Sequence, residues 1–173
     1  MPEPENGPTL AFAPIKRAPL EWMLIKATEL GASRLQPLIT DHTQADLSRL
    51  DRLQALLIEA AEQCERCRLP QLEPIQDLKI WLAGQQQVLV AAEAGEARSA
   101  SDLFQAEALP STLLIGPEGG FSLQELEAFA AHRGVLSVNL GPLILKAETA
   151  ALALMTLYQA ASRAWEARPA FRP

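Results

Sequence analysis

The sequence predicts an α/β fold with a mostly parallel sheet covered by helices on both faces. Short apolar runs typical of buried strands alternate with longer segments of helical periodicity along most of the chain. Because parallel strands must be joined by crossover connections that are usually helices, this alternation favours a parallel sheet. The chain has 173 residues, of which 49% are hydrophobic, and this is enough for one substantial core.

The N-terminal half contains two predicted strands, at 10–13 and 34–39, and two predicted helices, at 19–31 and 46–66. Pro19 suits the first turn of the first helix, and Gly31 ends that helix. Leucine and alanine recur at helical spacing and give each helix one apolar face. Pro37 lies inside the second strand, and because proline cannot donate to a sheet ladder, it predicts an edge position or an irregular end.

The C-terminal half continues the alternation with a short helix at 80–82, strands at 87–92, 112–115 and 135–140, a helix that starts after Ser122, and a final helix at 148–165. Ser122 and Glu125 have the spacing of a capping box. The final helix has almost no polar face, which is typical of a helix buried on more than one side. We therefore expect it to pack against a second subunit as well as its own sheet. The alternative is the central core helix of a monomer.

Charge limits the classes of function. The formal net charge is −6 and the isoelectric point is about 5.0, so nucleic acid is not expected to be held by bulk positive charge. Any RNA contact must therefore be made by a local basic patch. The candidates are three pairs of basic residues: Lys16 and Arg17, Arg49 and Arg52, and Arg66 and Arg68. Solvated helix faces explain each pair equally well.

The N-terminus and the apolar stretches predict a cytoplasmic protein. No apolar stretch approaches the ~20 residues of a membrane-spanning helix. Residues 1–8 have neither the cationic start nor the apolar region of a secretory signal. They are predicted to be a disordered or linker segment, and residues 9–173 are predicted to form the folded domain.

Cys64 and Cys67 form a CxxC pair, which is compatible with half of a zinc site or with a redox pair. Neither His42 nor His132 has ligand spacing relative to the cysteines. The pair lies toward the C-terminal end of a predicted helix, where the helix dipole disfavours a thiolate. We interpret both residues as reduced thiols near the core and expect no metal site.

Two segments that contain glycine and proline, 113–122 (LLIGPEGGFS) and 140–150 (LGPLILKAETA), are the strongest functional candidates. Each leaves the C-terminal end of a predicted strand and leads into a helix, which is where open α/β sheets bind ligands. We expect them to emerge side by side from neighbouring strands and to share one pocket for a flat ligand such as adenine, because glycine permits close backbone approach and proline stiffens the turns. The sequence has no GxGxxG or GxxxxGK[ST] loop. Taken singly, each segment also fits an ordinary tight turn.

With KATELG at 26–31 and EQCER at 62–66, these segments occur in the order and approximate spacing seen in the RsmE family of SPOUT methyltransferases. The chain resembles that family from about residue 16 to residue 159. The resemblance implies a C-terminal trefoil knot, S-adenosyl-L-methionine held by the knot loops, and a homodimer with the site at its interface. It also implies methylation of N3 of a uridine in 16S ribosomal RNA of the small ribosomal subunit.

The resemblance further implies which residues bind the cofactor: Leu114, Gly116, Glu118, Gly119, Leu140, Gly141, Leu143, Leu145 and Thr149. Uridine N3 carries a proton, so a base or a cation that favours the deprotonated ring is needed. Glu118 is the candidate carboxylate beside the reacting centre, and Lys146 or Arg66 is the candidate cation. Each has a structural alternative: a solvated turn residue for Glu118, a surface charge for Lys146, and a cap of helix-end carbonyls for Arg66.

The sequence departs from the family pattern in three respects. Family members usually carry an N-terminal PUA-like RNA-binding domain, and this chain begins where that domain would have ended. Residues 40–43 (TDHT) stand where the family tends to have a Ser-Glu-Arg sequence. Leu143, Lys146 and Ala147 replace the usual arginine, arginine and threonine. Because Leu143 lacks the guanidinium of the usual arginine, a non-catalytic dimeric module of the same fold that binds RNA or the cofactor is an alternative hypothesis. A flavodoxin-like signalling domain is a further alternative, since it has the same alternation of elements.

Overall fold

The computed structural model describes residues 7–44, 50–92, 97–100, 102 and 109–166. Its strands are β1 (Thr9–Phe12), β2 (Arg34–Ile39), β3 (Gln71–Leu72), β4 (Gln76–Asp77), β5 (Val88–Ala91), β6 (Arg98–Ser99), β7 (Thr112–Ile115) and β8 (Val135–Asn139). Its α-helices are α1 (Arg17–Glu29), α2 (Leu50–Gln63), α3 (Leu78–Ala83), α4 (Leu123–Ala131) and α5 (Ala147–Ala161). A short 3-10 helix follows at Ala164–Glu166.

The strands form one sheet in the order β3-β2-β1-β7-β5-β8-β6, and β4 pairs with β2 as well. Every pairing among the described strands is parallel. The parallel sheet expected from the alternation of elements is therefore confirmed. The C-terminal trefoil knot, which rested on the family resemblance alone, stays a prediction.

Each face of the sheet has its own hydrophobic core, because alternate residues of a strand point to opposite faces. Leu89 and Leu113 pack on the face covered by α1, α2 and α5. Val90 and Leu114 pack on the opposite face with α3 and the end of α4. The central strands are apolar at nearly every position because both faces are buried. The expected cover of helices on both faces is confirmed.

The position of β2 corrects the expectation based on Pro37. β2 lies inside the sheet, with β1 on one side and both β3 and β4 on the other. β3 pairs with the first two residues of β2 and β4 with its last two, so the outer pairing is interrupted at Gln36 and Pro37. Gln36 Nε2 donates across this gap to the carbonyl oxygen of Pro74 at 2.8 Å. The missing N–H of Pro37 therefore coincides with a break in the neighbouring strand and not with an edge of the sheet.

Two helices are shorter than the apolar pattern predicted. α2 ends at Gln63, and Glu65 then adopts a left-handed φ of 59°. The predicted start of this helix at residue 46 lies outside the described residues. α5 ends at Ala161, and Arg163 has a φ of 58°. A left-handed residue cannot continue a right-handed helix. None of the described helices is long and apolar enough to cross a membrane.

Two residues of the predicted linker segment are held against the sheet. Ser33 N donates to the carbonyl oxygen of Pro8 at 2.9 Å, and Ser33 Oγ donates to that of Gly7 at 2.6 Å. These bonds fix the chain just before β1 to the residue just before β2. Residues 1–6 lie outside the described residues.

The two cysteines differ in exposure. Cys64 is half-buried, with its Sγ 3.6 Å from the carbonyl oxygen of Ala61, whereas Cys67 is exposed. The expectation that both thiols lie near the core is therefore wrong for Cys67.

Candidate functional site

The two segments that contain glycine and proline lie at the same edge of the sheet. Residues 116–122, which we call the first loop, follow β7, and residues 140–146, the second loop, follow β8. β7 and β8 are not adjacent, because β5 lies between them and pairs with both. The expectation that the loops leave neighbouring strands is therefore wrong.

The intervening strand creates a cavity between the loops. Adjacent strands are about 5 Å apart, so the bases of the two loops are separated by roughly 10 Å. A cavity of about 770 Å³ lies here, lined by both loops and by Ala91 and Ala92 at the end of β5. Alanine side chains leave open a space that larger side chains would fill. The shared pocket expected from the sequence is present, and its size is typical of a small-molecule site. We call it the main cavity.

The first loop is a turn backed by an aromatic pair. Gly120 N donates to the carbonyl oxygen of Pro117 at 2.9 Å, and Gly120 has a φ of 71°, which favours glycine. Gly116 faces the ring of Phe121, and a Cβ at Gly116 would lie only 2.9 Å from that ring. Phe121 packs edge-on against Phe129 of α4, with ring centroids 4.9 Å apart. Backbone bonding and ring packing together fix the shape of this loop.

The first loop ends in the predicted capping box, which also holds the turn after β2. Ser122 Oγ accepts from Glu125 N at 3.2 Å, and Glu125 Oε2 accepts from Ser122 N at 2.8 Å. Glu125 is 1% exposed, and its Oε1 accepts a further hydrogen bond from Asp41 N at 2.9 Å. Ser122 Oγ also donates to the Asp41 carboxylate. The buried carboxylate of Glu125 therefore fixes the first loop and the β2 turn to each other.

The second loop begins with a turn set by Asn139. Gly141 N donates to Asn139 Oδ1 at 2.8 Å, and Gly141 has a φ of 118°, which residues with a Cβ rarely adopt. Farther along the loop, Leu143 and Ile144 are 74% and 87% exposed. Lys146 ends the loop at the N-cap position of α5. The second loop thus presents backbone and apolar side chains, with one cation at its end.

Most of the predicted site residues line the main cavity. Those that do are Gly116, Glu118, Gly119, Leu140, Gly141, Leu143, Leu145 and Lys146. Leu114 is fully buried on the face of the sheet that α3 covers, and Thr149 is exposed in the first turn of α5. Neither belongs to the lining of the cavity, so the geometry does not support direct cofactor contact by these two residues.

Arg66 lies outside the main cavity and bonds to helix-end carbonyls instead. Arg66 Nη1 donates to the carbonyl oxygen of Thr28 at 2.8 Å and to that of Ala32 at 3.0 Å. These bonds join the segment after α2 to the end of α1, which is the structural alternative considered for this residue. Its position does not support the role of catalytic cation.

Lys16 is a charged cavity residue that the sequence did not identify as part of the site. It follows β1, lines the main cavity, and places its Nζ 3.6 Å from Glu118 Oε2. β1 pairs directly with β7, which brings the end of β1 beside the first loop. In the sequence, Lys16 is visible only as half of a basic pair. Its one usable signal is that it follows a predicted strand at the edge that carries both loops.

A second cavity, of about 570 Å³, adjoins the first loop. It is lined by Pro14, Ile15, Lys16, His42, Gln44, Pro117, Glu118 and Gly119. Lys16 and Glu118 line both cavities, so their ion pair stands at the boundary between the two. The site therefore consists of two adjoining concavities with a pair of opposite charges between them.

Comparison with known proteins decides the family. Residues 3–159 match the RNA methyltransferase domain family. The chain belongs to this family. The flavodoxin-like signalling domain, which shares the alternation of elements, is thereby set aside. The resemblance to the RsmE methyltransferases inferred from four short segments is confirmed by relatives of that name.

Several relatives match most of this chain. The Ribosomal RNA small subunit methyltransferase E of Rickettsia conorii is 37% identical over 147 residues, which are 83% of this chain and 60% of that protein. The crystal structure of the Neisseria gonorrhoeae enzyme of the same name, bound to S-adenosyl methionine, has a TM-score of 0.78 and 29% identity over 89% of this chain and 65% of that one. A Legionella pneumophila structure with bound SAM has a TM-score of 0.78 and 30% identity. The chain thus spans about 60% of the length of the Rickettsia relative.

Replacing Arg66 by methionine separates its structural role from a catalytic one. Arg66→Met removes one donor from each of the carbonyl oxygens of Thr28 and Ala32. Thr28 O keeps its bond from Gly31 N at 3.0 Å, whereas the bond to the buried Ala32 is lost, so we expect the free energy of unfolding to fall by about 1–3 kcal/mol. Arg133→Met, at an exposed position, is the matched control and should change it by less than about 0.5 kcal/mol. Urea denaturation measures both variants. An unchanged unfolding midpoint in Arg66→Met would contradict the structural role.

Proposed function

We propose that this domain binds S-adenosyl-L-methionine and directs its methyl group to N3 of a uridine in 16S ribosomal RNA. The observation that carries the proposal is the main cavity between the two loops, in a chain of the RNA methyltransferase domain family. The Rickettsia and Neisseria relatives are named as small subunit methyltransferases, and the Neisseria structure contains the methyl donor.

The lining of the main cavity suits this cofactor, which supplies a methyl group bound to a positively charged sulfur. Nothing lies within 4 Å of the position that a Cβ at Gly141 would take, so a flat ring can approach the backbone there closely. Leu140 and Leu145 offer apolar contacts to that ring. The carboxylate of Glu118 is about half exposed at the cavity and complements a positive sulfur. The residues that line the main cavity therefore fit S-adenosyl-L-methionine.

We infer that Glu118 is the carboxylate beside the reacting centre and that Lys146 is the cation. The two residues belong to different loops but line the same cavity, so their opposite charges bracket a bound ligand. A cation near the acceptor ring favours its deprotonated form, and fixed charges act strongly where water is excluded. Most of the rate would come from holding donor and acceptor in line, which two stiff loops are suited to do.

A local group of basic residues beside the site suits RNA. Arg17 Nε lies 2.9 Å from Glu21 Oε1, and Arg52 Nε lies 3.7 Å from the same oxygen. The hydrogen bond from Arg17 lowers the pKa of Glu21, so the carboxylate stays charged between the two cations. Lys16, whose side chain is 82% exposed, adjoins Arg17 in the chain. Phosphate contacts by such a group would allow an acidic protein to bind RNA.

We also propose that the domain forms a homodimer through α5 and the second loop. Leu154 and Met155 of α5 are at most 1% exposed against the sheet. Leu152 and Leu157 are only partly buried, although they are as apolar as the buried side. Ile144 of the second loop is 87% exposed. Apolar surface of this kind, next to a binding site, is typical of an interface between subunits.

Leu143 favours a second candidate function, a non-catalytic binding module of the same fold. It is 74% exposed and lines the main cavity, at a position where an arginine would be usual. An apolar side chain cannot hold phosphate or uracil as a guanidinium does. The non-catalytic module would bind RNA or the cofactor without transferring a methyl group, so methyl transfer is what separates the two candidates. Transfer of labelled methyl groups to uridine N3 of 16S ribosomal RNA would eliminate the non-catalytic candidate.

Calorimetric titration with S-adenosyl-L-methionine tests the proposal. We expect the wild-type chain to bind it and Gly141→Val to bind it about tenfold or more weakly, because valine cannot adopt the φ of 118° without strain of about 1–2 kcal/mol or more. Gly84→Ala is the matched control, since a Cβ there meets only an ordinary contact at 3.5 Å, and it should bind like the wild type. Absence of binding by the wild type at millimolar ligand would contradict the proposal.

Sedimentation equilibrium tests the proposed dimer. We expect a mass near twice the 18.8 kDa of one chain at micromolar protein. Ile144→Asp should shift the protein toward the monomer, because a charge in an apolar interface must be desolvated. Ile80→Asp is the control, since Ile80 is 75% exposed on α3, on the opposite face of the sheet. A wild-type mass of one chain would contradict the dimer.

A further inference from the structure

The geometry of the second cavity points to a pocket for the nucleobase that accepts the methyl group. In this pocket His42 Nε2 takes the proton from the ring nitrogen. This inference rests on the proposed methyl transfer and adds the group that removes the proton. It also places the acceptor ring beside Lys16, which lines both cavities, because Lys146 lines the main cavity and not the second. His42 lines the second cavity together with Lys16, Gln44 and Glu118. Lys16 and Glu118 line both cavities. A nucleobase in the second cavity would therefore meet a methyl donor in the main cavity at this ion pair.

The hydrogen bond at Nδ1 fixes the tautomer of His42. Nδ1 lies 3.0 Å from the carbonyl oxygen of Gly120. A carbonyl oxygen only accepts, so Nδ1 must carry the hydrogen. In a neutral imidazole the free lone pair then lies on Nε2. Among the described residues, Nε2 has no hydrogen-bond partner. Nε2 is therefore able to accept a proton from a ligand.

His42 is held by two fixed segments. A Cβ at Gly119 would lie 3.5 Å from Cβ of His42, so the side chain packs against the first loop. The turn that carries His42 is closed by hydrogen bonds from Thr43 N to the carbonyl oxygen of Thr40 at 3.1 Å and from Thr40 N to Thr43 Oγ1 at 2.9 Å. The buried Glu125 anchors the same turn through Asp41 N. A base held in this way needs little reorientation to act.

The charges around His42 suit a residue that gains a proton. Glu118 of the first loop lines the same cavity and attracts an imidazolium. Lys16, from the connection between β1 and α1, is 3.6 Å from Glu118, so the pair as a whole is close to neutral. Asp41 precedes His42, and its carboxylate lies 3.9 Å from Nζ of Lys79. The buried carboxylate of Glu125 also faces the turn, through the hydrogen bond that it accepts from Asp41 N.

The donors and acceptors of the second cavity match the imide edge of uracil. This edge has an N–H between two carbonyl oxygens. Nε2 of His42 would accept from the N–H, while Nζ of Lys16 and the side-chain amide of Gln44 would donate to the oxygens. Cytosine has no hydrogen on this ring nitrogen, so its lone pair would face that of Nε2. A pocket of this kind rejects cytosine because two acceptors would be left unpaired.

The proposed step balances without a further reactant. The N3 proton moves to Nε2 of His42, and the N3 electron pair forms the new bond to the methyl carbon. The bond between that carbon and sulfur breaks, and its electrons stay on sulfur. His42 is left as an imidazolium beside Glu118 and returns its proton to water.

Methyl transfer by His42→Asn tests this inference. The asparagine amide N–H takes the place of Nδ1–H and can keep the bond to Gly120, but Nε2 is removed. We expect transfer to 16S ribosomal RNA to fall by about 10²–10⁴-fold with unchanged affinity for S-adenosyl-L-methionine. His132→Asn is the matched control and should keep the wild-type rate, since His132 lies outside the lining of both cavities and its Nδ1 accepts from Gly134 N at 3.1 Å.

The pH profile distinguishes a base from a structural residue. The wild-type rate should reach a plateau with rising pH, as expected when a general base takes the proton, whereas the His42→Asn rate should keep rising because hydroxide must remove the proton. If asparagine disturbs the loop, seen as weaker cofactor binding, His42→Gln gives the same test. A wild-type rate and pH profile in either variant that still binds the cofactor would overturn the inference and leave the proposed function standing. No transfer by the wild-type chain would overturn both.

Discussion

The parallel pairing of β7, β5 and β8 is the constraint on which the candidate site depends. It places both glycine- and proline-containing loops at the C-terminal edge of the sheet and holds one strand between them. Loops from adjacent strands would be about 5 Å apart at their bases and would leave little space, whereas a spacing of roughly 10 Å admits a flat ring. The small residues Ala91 and Ala92 at the end of β5 keep that space open. The buried Glu125 then fixes the first loop to the turn that carries His42, so the two cavities are built on one bonded unit.

Local features of the fold could be predicted because local physics sets them. The strands at 34–39 and 112–115 have the predicted bounds, since apolar runs between breaker residues leave few alternatives. The capping box of Ser122 and Glu125 has both of its hydrogen bonds, since a spacing of three residues is enough to form it. The two loops could be recognised as the site because parallel α/β sheets bind ligands at the ends of their strands.

Features that depend on strand order could not be predicted. Nothing in the alternation of elements shows that β5 lies between β7 and β8, or that β1 brings Lys16 beside Glu118. Arg66 matched a family segment, yet its guanidinium caps the carbonyls of Thr28 and Ala32, which are distant in the sequence. His42 carried no signal of its own, because its meaning comes from a hydrogen bond to Gly120, a residue 78 positions away. Tertiary contacts of this kind decide which of several plausible residues enter a site.

A crystal structure of the chain with S-adenosyl-L-methionine bound tests the central claim most directly. The cofactor should lie between the first and second loops, in contact with the backbone at Gly116 and Gly141 and with its sulfur toward Glu118. The loops should keep the positions described here, because Phe121, Glu125 and Asn139 already hold them. S-adenosyl-L-methionine bound anywhere other than the main cavity would contradict the claim.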